Sequence, residues 1–433
     1  MAYPKKYIFH YAWVVLAAAC VLNIVARADQ SSFGVFIDPL VAQFGWKRGD
    51  ISFAYSLAFL IGLPAVVIMG WLGDRFGARQ LMLAAAVMIG TGTVLLGTIQ
   101  ELWHFYVFYG VFVGSMGHAA FSVLLPVIIT RWFYRHLGIV MGIYWAGQGV
   151  GPVIFAPLFR WLLETQGWQH TFTLIGTLLG CILAFCSLFI FNRPSDKGLR
   201  AYGIEDTQTN PGSSAATGAS TSTVAVSLRA ILRQRTVWHL MGIHHIGCAA
   251  HAIILAHVVS MATFKGIPGV EAAGVLATIA GTSVISRFAF SVIADRFGGR
   301  ITLTFALLGQ SLPVIILLFA TEPWAFYLFA VIFGLSYGGE MVGFPIINKQ
   351  LFGFRAPLGS IYSFQMVGAG TGMALGGWLG GGLFDMTGDY TWSLLTSLVV
   401  GLFGLPLALA LPRHGGPGSG RFETVFVAQS RGG

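Results

Sequence analysis

Gly70-Trp71-Leu72-Gly73-Asp74-Arg75-Phe76-Gly77-Ala78-Arg79 returns, 221 residues later, as Ser291-Val292-Ile293-Ala294-Asp295-Arg296-Phe297-Gly298-Gly299-Arg300. The same interval joins Leu137-Gly138 to Leu358-Gly359, Phe133 to Phe354, Asp50 to Glu271, and Glu164-Thr165-Gln166-Gly167 to Asp385-Met386-Thr387-Gly388. Agreement at one fixed offset across unrelated-looking segments identifies an internal duplication. In an apolar chain, duplicated halves are the usual build of a transporter with its site between the repeats.

The chain is apolar indeed. Of 433 residues, 56% are hydrophobic and 9% charged, against about 25% charged in soluble domains, so the bilayer must serve as solvent. Stretches near the ~20 residues that cross the hydrocarbon core occur at 11–37, 51–71, 80–99, 104–130, 137–160, 171–191, 237–262, 272–294, 301–320, 323–347, 358–382 and 392–411. The expectation is an all-α membrane protein of twelve transmembrane helices in two pseudo-symmetric six-helix bundles. Residues 1–192 and 237–411 form the bundles, 193–236 a cytoplasmic linker and 412–433 a cytoplasmic tail.

Basic loops are retained in the cytoplasm. With Lys5 and Lys6 inside, that side also receives Arg75, Arg79, Arg131, Arg135, Arg296, Arg300, Lys349, Arg355 and the basic residues of the linker and tail. The other side keeps little beyond Lys47, Arg48, Arg160 and Lys265. Both termini are thereby expected in the cytoplasm, and the net charge of +9 reflects topology and anionic lipid rather than nucleic acid. Lys5-Lys6, an apolar run and Ala26-Arg27-Ala28 imitate a cleavable signal peptide, but cleavage there would remove the first helix and unbalance the repeat. Cys20, Cys181, Cys186 and Cys248 all fall in apolar spans and act as small hydrophobes. In the linker, Thr207 to Ser227 lacks apolar periodicity and reads as a tether. Leu228, Ile231 and Leu232 with Arg229, Arg233 and Arg235 read as a short surface-lying amphipathic piece.

The two copies around Asp74 and Asp295 resemble the loop signature of the major facilitator superfamily. Gly77 permits a tight turn, Asp74 can accept hydrogen bonds from a helix N-terminus, and the arginines can pair with carboxylates or lipid phosphates. The resemblance implies a gating role for Asp74, Arg75, Arg79, Asp295, Arg296 and Arg300, joined by Arg131 and Arg135. A narrower resemblance, to bacterial monocarboxylate transporters and relatives of oxalate/formate exchangers, rests on several segments. They are Trp132-Phe133-Tyr134-Arg135-His136 followed by Gly142, Ala146 and Gly147, Phe33-Gly34-Val35-Phe36-Ile37-Asp38-Pro39-Leu40, Tyr337-Gly338-Gly339 and Asp385-Met386-Thr387-Gly388-Asp389-Tyr390. Glycines such as Gly147, Gly151, Gly368, Gly372, Gly376 and Gly377 let helix backbones approach closely and slide.

An ionised side chain at mid-bilayer costs at least about 2.5 kcal/mol and persists where it meets a cavity or partner. Arg27, Asp29, Arg287 and Glu340 are the candidates. Arg287 precedes Asp295 by eight residues, about 12 Å of helix, which sets it toward the middle of the eighth span. The resemblance implies that this arginine holds a substrate carboxylate. Some family members carry an aspartate four residues earlier, where Ser283 stands here, and oxalate exchangers use a lysine in the eleventh helix, which is missing here. Arg27 can supply a second positive charge, and Tyr337 and His118 can hydrogen-bond a carboxylate. The offset maps Arg27 and Asp29 onto Cys248 and Ala250, inside the seventh span. Being two apart they face different directions.

The seventh span holds His244, His245, His251 and His257. His257 leads a segment resembling the end of this helix in bacterial relatives, although their proline and aspartate are replaced by Ser260 and Phe264. Imidazole is the natural proton relay near neutral pH, so His257, Glu340 and Asp29 are the expected proton-coupling groups. His244, Cys248 and His251 share a helix face at metal-like spacing, but no fourth ligand is evident and no metal is expected. No phosphate-binding loop, nucleophile elbow or paired catalytic carboxylates occur, and neither an enzyme nor a cofactor is expected.

The sequence therefore points to a multi-pass protein of a bacterial inner membrane that acts as a monomer. It would move a small organic acid anion, a monocarboxylate such as lactate or pyruvate, together with a proton by alternating access. Anion exchange, drug or cation export through Asp29 and Glu340, and a non-transporting sensor are the alternatives.

Overall fold

A computed structural model describes residues 10–133, 137–203, 233–352 and 358–412. In chain order the helices are α1 Ala12–Ala26, α2 Ala28–Ser31, α3 Gly34–Phe44, α4 Arg48–Phe76, α5 Ala78–Leu96, α6 Leu102–Phe105, a π-helical stretch Tyr106–Gly117, α7 His118–Trp132 and α8 Leu137–Ser187. They continue as α9 Arg235–Phe264, α10 Gly269–Phe297, α11 Gly299–Ser311, α12 Val314–Phe319, α13 Pro323–Phe352, α14 Leu358–Thr387 and α15 Thr391–Leu409. Among the described residues there is no sheet, only an isolated bridge between Phe133 and Tyr202.

Among the described residues, nine helical stretches are long and apolar enough to cross a membrane by length and composition. Three further spans complete the expected twelve. Gly167, at φ 76° and ψ 167°, divides α8 into two. The first span is distributed over α1, α2 and α3, and α14, with 30 residues, is long enough to cross although rich in glycine.

The duplication is written in the backbone. α4 and α10 are each 29 residues and start and stop 221 residues apart. Three pairs of glycines at that offset hold left-handed backbone: Gly45 and Gly266 (φ 69° and 88°), Gly77 and Gly298 (89° and 84°), Gly167 and Gly388 (76° and 80°). At such φ a β-carbon clashes, so glycine is the residue that turns the chain there. The repeat is broken in one place. α9 runs for 30 residues without interruption, whereas its counterpart bends at Arg27 (φ −101°, ψ −4°). The Arg27 carbonyl stays paired at the bend, accepting the Ser31 N–H at 2.8 Å and the Ser31 hydroxyl at 2.7 Å. In lipid such a break survives only where freed backbone groups find partners.

By packing, the chain divides into two compact units: one of Met1–Ser31, Ile61–Gly151 and Leu162–Ser213, the other of Ser32–Leu60, Pro152–Trp161 and Ser214–Gly433. Two segments of the first repeat thus pack with the second repeat. In unit one, the start of the expected linker folds back as a 3₁₀ turn, Pro194–Lys197. Tyr202 packs against Trp13 and Phe133, and Lys197 lies over Tyr11, 3.9 Å from the ring centroid. The expected amphipathic piece at 228–232 and the tail from 413 lie outside the described residues; Arg233 and Arg235 are at and beside the start of α9.

In unit two, α9 and α14 touch backbone to backbone. A β-carbon at Gly372 would meet the His245 carbonyl oxygen, and one at Gly376 the Ala249 carbonyl oxygen. Gly142, by contrast, has open space around it. Gly376→Val is therefore expected to destabilise the protein by about 1–3 kcal/mol through overpacking, while Gly142→Ala leaves it unchanged or raises stability by up to about 1 kcal/mol through helix propensity. Thermal unfolding of the two detergent-solubilised variants checks the contrast.

Candidate functional site

In unit one the polar groups gather at the break in the first span. Asp29 is buried, and one carboxylate oxygen accepts the Thr93 hydroxyl at 2.9 Å; the other has no hydrogen-bond partner among the described residues. The Arg27 guanidinium has a buried Nε and lies within electrostatic reach of His118 and Tyr144. His118 stands directly after the π-helical stretch Tyr106–Gly117, and such stretches concentrate at functional sites. Arg27 and Asp29 do point to different partners, Asp29 into the packing against α5.

In unit two Arg287 is half-buried in α10, its Nε buried and Tyr337 of α13 within electrostatic reach. Ser283, one turn before it, is buried and donates its hydroxyl to Ala280 O at 2.7 Å, so it supplies no charge beside the arginine. Arg27 in unit one and Arg287 in unit two thus each have a hydrogen-bonding side chain within electrostatic reach, His118 and Tyr337.

Glu340 is fully buried in α13. Its Oε2 accepts Gln310 Nε2 at 2.9 Å and lies 3.2 Å from His251 Nδ1. The structure also brings Glu340, not His251, to within ligand-sharing range of His244 and Cys248: the three potential metal-binding atoms lie within 4.8 Å of one another. This juxtaposition was hidden in the sequence because Glu340 is about ninety residues from His244.

His257 is fully buried and straps three helices. Its Nε2 is 2.8 Å from Gly377 O on α14 and 3.3 Å from Ser52 Oγ on α4. Since a carbonyl only accepts, Nε2 carries the proton and donates to Gly377 O. Near it, at the end of unit two opposite the Asp295–Gly298 loop, lies a latch that sequence reasoning did not assemble. Arg48 Nη2 pairs with Asp38 Oδ1 at 2.8 Å, and the Thr263 hydroxyl donates to Asp38 Oδ2. The Arg48 guanidinium sits 4.3 Å from the centroid of the Phe384 ring. Asp385 accepts the backbone N–H groups of Arg48 at 3.1 Å and Gly49 at 2.6 Å, capping the start of α4 with a carboxylate where the helix dipole is positive. Asp38 lies in the middle of α3 and Asp385 in the last turn of α14, and the sequence gives no sign of the partners each meets.

The loop signatures show a second arrangement at the 221-residue offset. The N–H of Ala78 donates to Asn192 Oδ1 at 2.9 Å, and that of Gly299 to Gln350 Oε1 at 2.8 Å. An amide oxygen therefore caps the helix after each loop, the task the sequence assigned to Asp74. Arg75 lies over Trp71 and Phe76, each 5.5 Å to the ring centroid, and Arg79 lies 5.2 Å from the centroid of Phe191. Arg131 is half-buried in the last turn of α7, and Arg300 is half-buried at the start of α11. The side chains of Asp74, Asp295 and Arg296, and residue Arg135 as a whole, lie outside the described residues.

A duplicated, wholly helical membrane chain with arginines held inside its spans is the build of a secondary transporter. The chain matches the Major Facilitator Superfamily model over residues 19–352 and again over 270–427, and it belongs to that superfamily. Similar chains include rat Monocarboxylate transporter 13, 25% identical over 97% of this chain and 92% of its own length. The Uncharacterized MFS-type transporter YcxA of Bacillus subtilis is 24% identical over 92% and 94%. The Oxalate:formate antiporter of Oxalobacter formigenes is 23% identical over 94% and 93%. Among solved structures, a bacterial homolog to the human lysosomal transporter Spinster, in an inward-facing and unoccupied conformation, shares the fold with a TM-score of 0.66 at 14% identity, covering 99% of this chain and 97% of that one.

Removing the Asp385 carboxylate takes two charge-assisted acceptors from the start of α4, worth together about 1–2 kcal/mol. Asp385→Ala is therefore expected to loosen the latch. In proteoliposomes, labelling of a cysteine placed at Ser52 by a membrane-impermeant thiol reagent, read by peptide mass spectrometry, rises several-fold over the same cysteine with Asp385 intact. Equal labelling would show that the latch does not restrain this end.

Proposed function

We propose that this superfamily member carries a small organic monoanion, a monocarboxylate of the lactate or pyruvate size, together with a proton. The observation that carries the reading is Arg287, a guanidinium held half-buried in a membrane span with a phenol close by. A guanidinium offers a planar, always-charged fork matched to a carboxylate, and Tyr337 can add a hydrogen bond. Arg27 with His118 offers the corresponding pair in unit one. The names of the monocarboxylate and oxalate:formate relatives support a carboxylate, and a missing eleventh-helix lysine supports one charge rather than two.

The proton is assigned to Asp29. A desolvated carboxylate is costly, and a bound proton removes the cost; among the described residues only the Thr93 hydroxyl donates to Asp29, and its second oxygen has no hydrogen-bond partner. His257 and Glu340, the other expected carriers, are engaged elsewhere, one as an interhelical strap and the other by Gln310 and His251. The gating motifs and the Asp38–Arg48–Asp385 latch serve alternating access. The distribution of lysine and arginine supports a bacterial inner-membrane location with both termini cytoplasmic, and the protein works as a monomer.

Proteoliposomes tested with labelled lactate and pyruvate under an imposed inward proton gradient decide the reading. Wild-type protein is expected to accumulate label, Arg287→Ala to lose at least tenfold of the uptake rate, and Asp29→Asn to lose gradient-driven accumulation while retaining exchange of internal for external substrate. Normal uptake by Arg287→Ala overturns the assignment of the carboxylate site, and retained accumulation by Asp29→Asn overturns that of the proton.

A further inference from the structure

The geometry points to a transition-metal site in unit two, formed by His244, Cys248 and Glu340, that takes a divalent cation of zinc type. Its residues play no part in the carboxylate or proton assignments above. His244 and Cys248 are four residues apart on α9 and so share a helix face, and Glu340 faces them from α13. All three are essentially inaccessible, at 1%, 1% and 0% exposure. Their donor atoms lie within 4.8 Å of one another. Tetrahedral zinc with bonds of about 2.0–2.3 Å requires separations near 3.5 Å, so closing on an ion needs side-chain shifts of roughly 1 Å.

Unmet bonding capacity marks the same spot. Both ring nitrogens of His244 lack a hydrogen-bond partner among the described residues, and its ring is fixed by stacking on Phe344, centroids 3.9 Å apart at 18°. An imidazole buried with its polar atoms unanswered forfeits the hydration of each without return. Glu340 is satisfied on one side only: Oε2 has Gln310 and His251, while Oε1 has none. Oε1 projects toward Gly247, where a β-carbon would collide with it. Glycine at this position keeps the carboxylate edge free.

Charge supports a cation of this class. A thiolate, a carboxylate and a neutral imidazole sum with a divalent ion to zero, the least costly total inside hydrocarbon. Nitrogen, sulfur and oxygen donors together suit zinc rather than magnesium or calcium, which prefer oxygen alone. His251 and Gln310 act as the supporting layer, holding Oε2 so that Oε1 meets the metal. The ion ties α9 to α13.

Cobalt(II) is the probe, since a cysteine thiolate gives it a near-ultraviolet charge-transfer band. Full-length protein in detergent, stripped with chelator and titrated with cobalt(II), is expected to develop that band to saturation at one equivalent and to lose it on adding zinc. Cys248→Ala, a swap of small apolar-compatible side chains, abolishes the band, and His244→Ala weakens binding at least tenfold. His245→Ala, whose ring instead meets Gly368 O and Thr371, binds as the wild type. No band at one equivalent in the wild type, or an undiminished band in Cys248→Ala, overturns the site and leaves a hydrogen-bonded histidine–glutamate cluster in its place.

Discussion

A charge placed inside hydrocarbon must be answered by protein, and that demand organises this molecule. Water is not there to solvate a guanidinium or a carboxylate, so a carboxylate within a span draws its partners from other helices. Asp29 takes the Thr93 hydroxyl, Glu340 takes Gln310 and His251, and Asp38 takes Arg48 and Thr263. These pairings join α2 to α5, α13 to α11 and α9, and α3 to α4 and α9. Such polar cross-links hold the apolar helices in register, where burial of apolar surface discriminates poorly between one helix neighbour and another.

The same solvent explains why the two repeats share a backbone but not a chemistry. Left-handed glycines recur at the offset because the chain must turn at the same places to re-enter the membrane. Each loop after the signature needs an acceptor for the next helix's first N–H, yet Asn192 fills that need in one repeat and Gln350 in the other. A turn or cap is a geometric requirement that unrelated residues can meet. The repeat departs from itself in its opening spans: the first is bent at Arg27, beside Asp29, whereas α9 is uninterrupted and bears five histidines.

Packing also cuts across the duplication. Ser32–Leu60 and Pro152–Trp161 belong by sequence to the first repeat but pack with the second. Asp385 on the start of α4, His257 between Ser52 and Gly377, and the Ser56 hydroxyl donating to Ala374 O at 2.5 Å make that attachment polar and specific. Hydrogen bonds and one partly buried ion pair are individually modest, so such a latch can open. Gly372 and Gly376 bring the α9 and α14 backbones into direct contact, while His245 and His257 add side-chain hydrogen bonds between the same two helices.

Sequence by itself determined the solvent, the number of spans, the duplication and the superfamily, because hydrophobicity, repeat spacing and turn glycines are local or periodic properties. It also singled out Arg27, Asp29, Arg287 and Glu340, since a charge in an apolar run is conspicuous without coordinates. Tertiary structure alone decided what those charges meet. It tied His257 into a strap, joined Glu340 to His244 and Cys248, assembled Asp38, Arg48 and Asp385 into a latch, and moved two first-repeat segments into the second unit. The physical reason is that a hydrogen bond, an ion pair or a shared ligand position depends on distances of about 3 Å between residues tens to hundreds of positions apart, and chain spacing holds no record of which helix faces which.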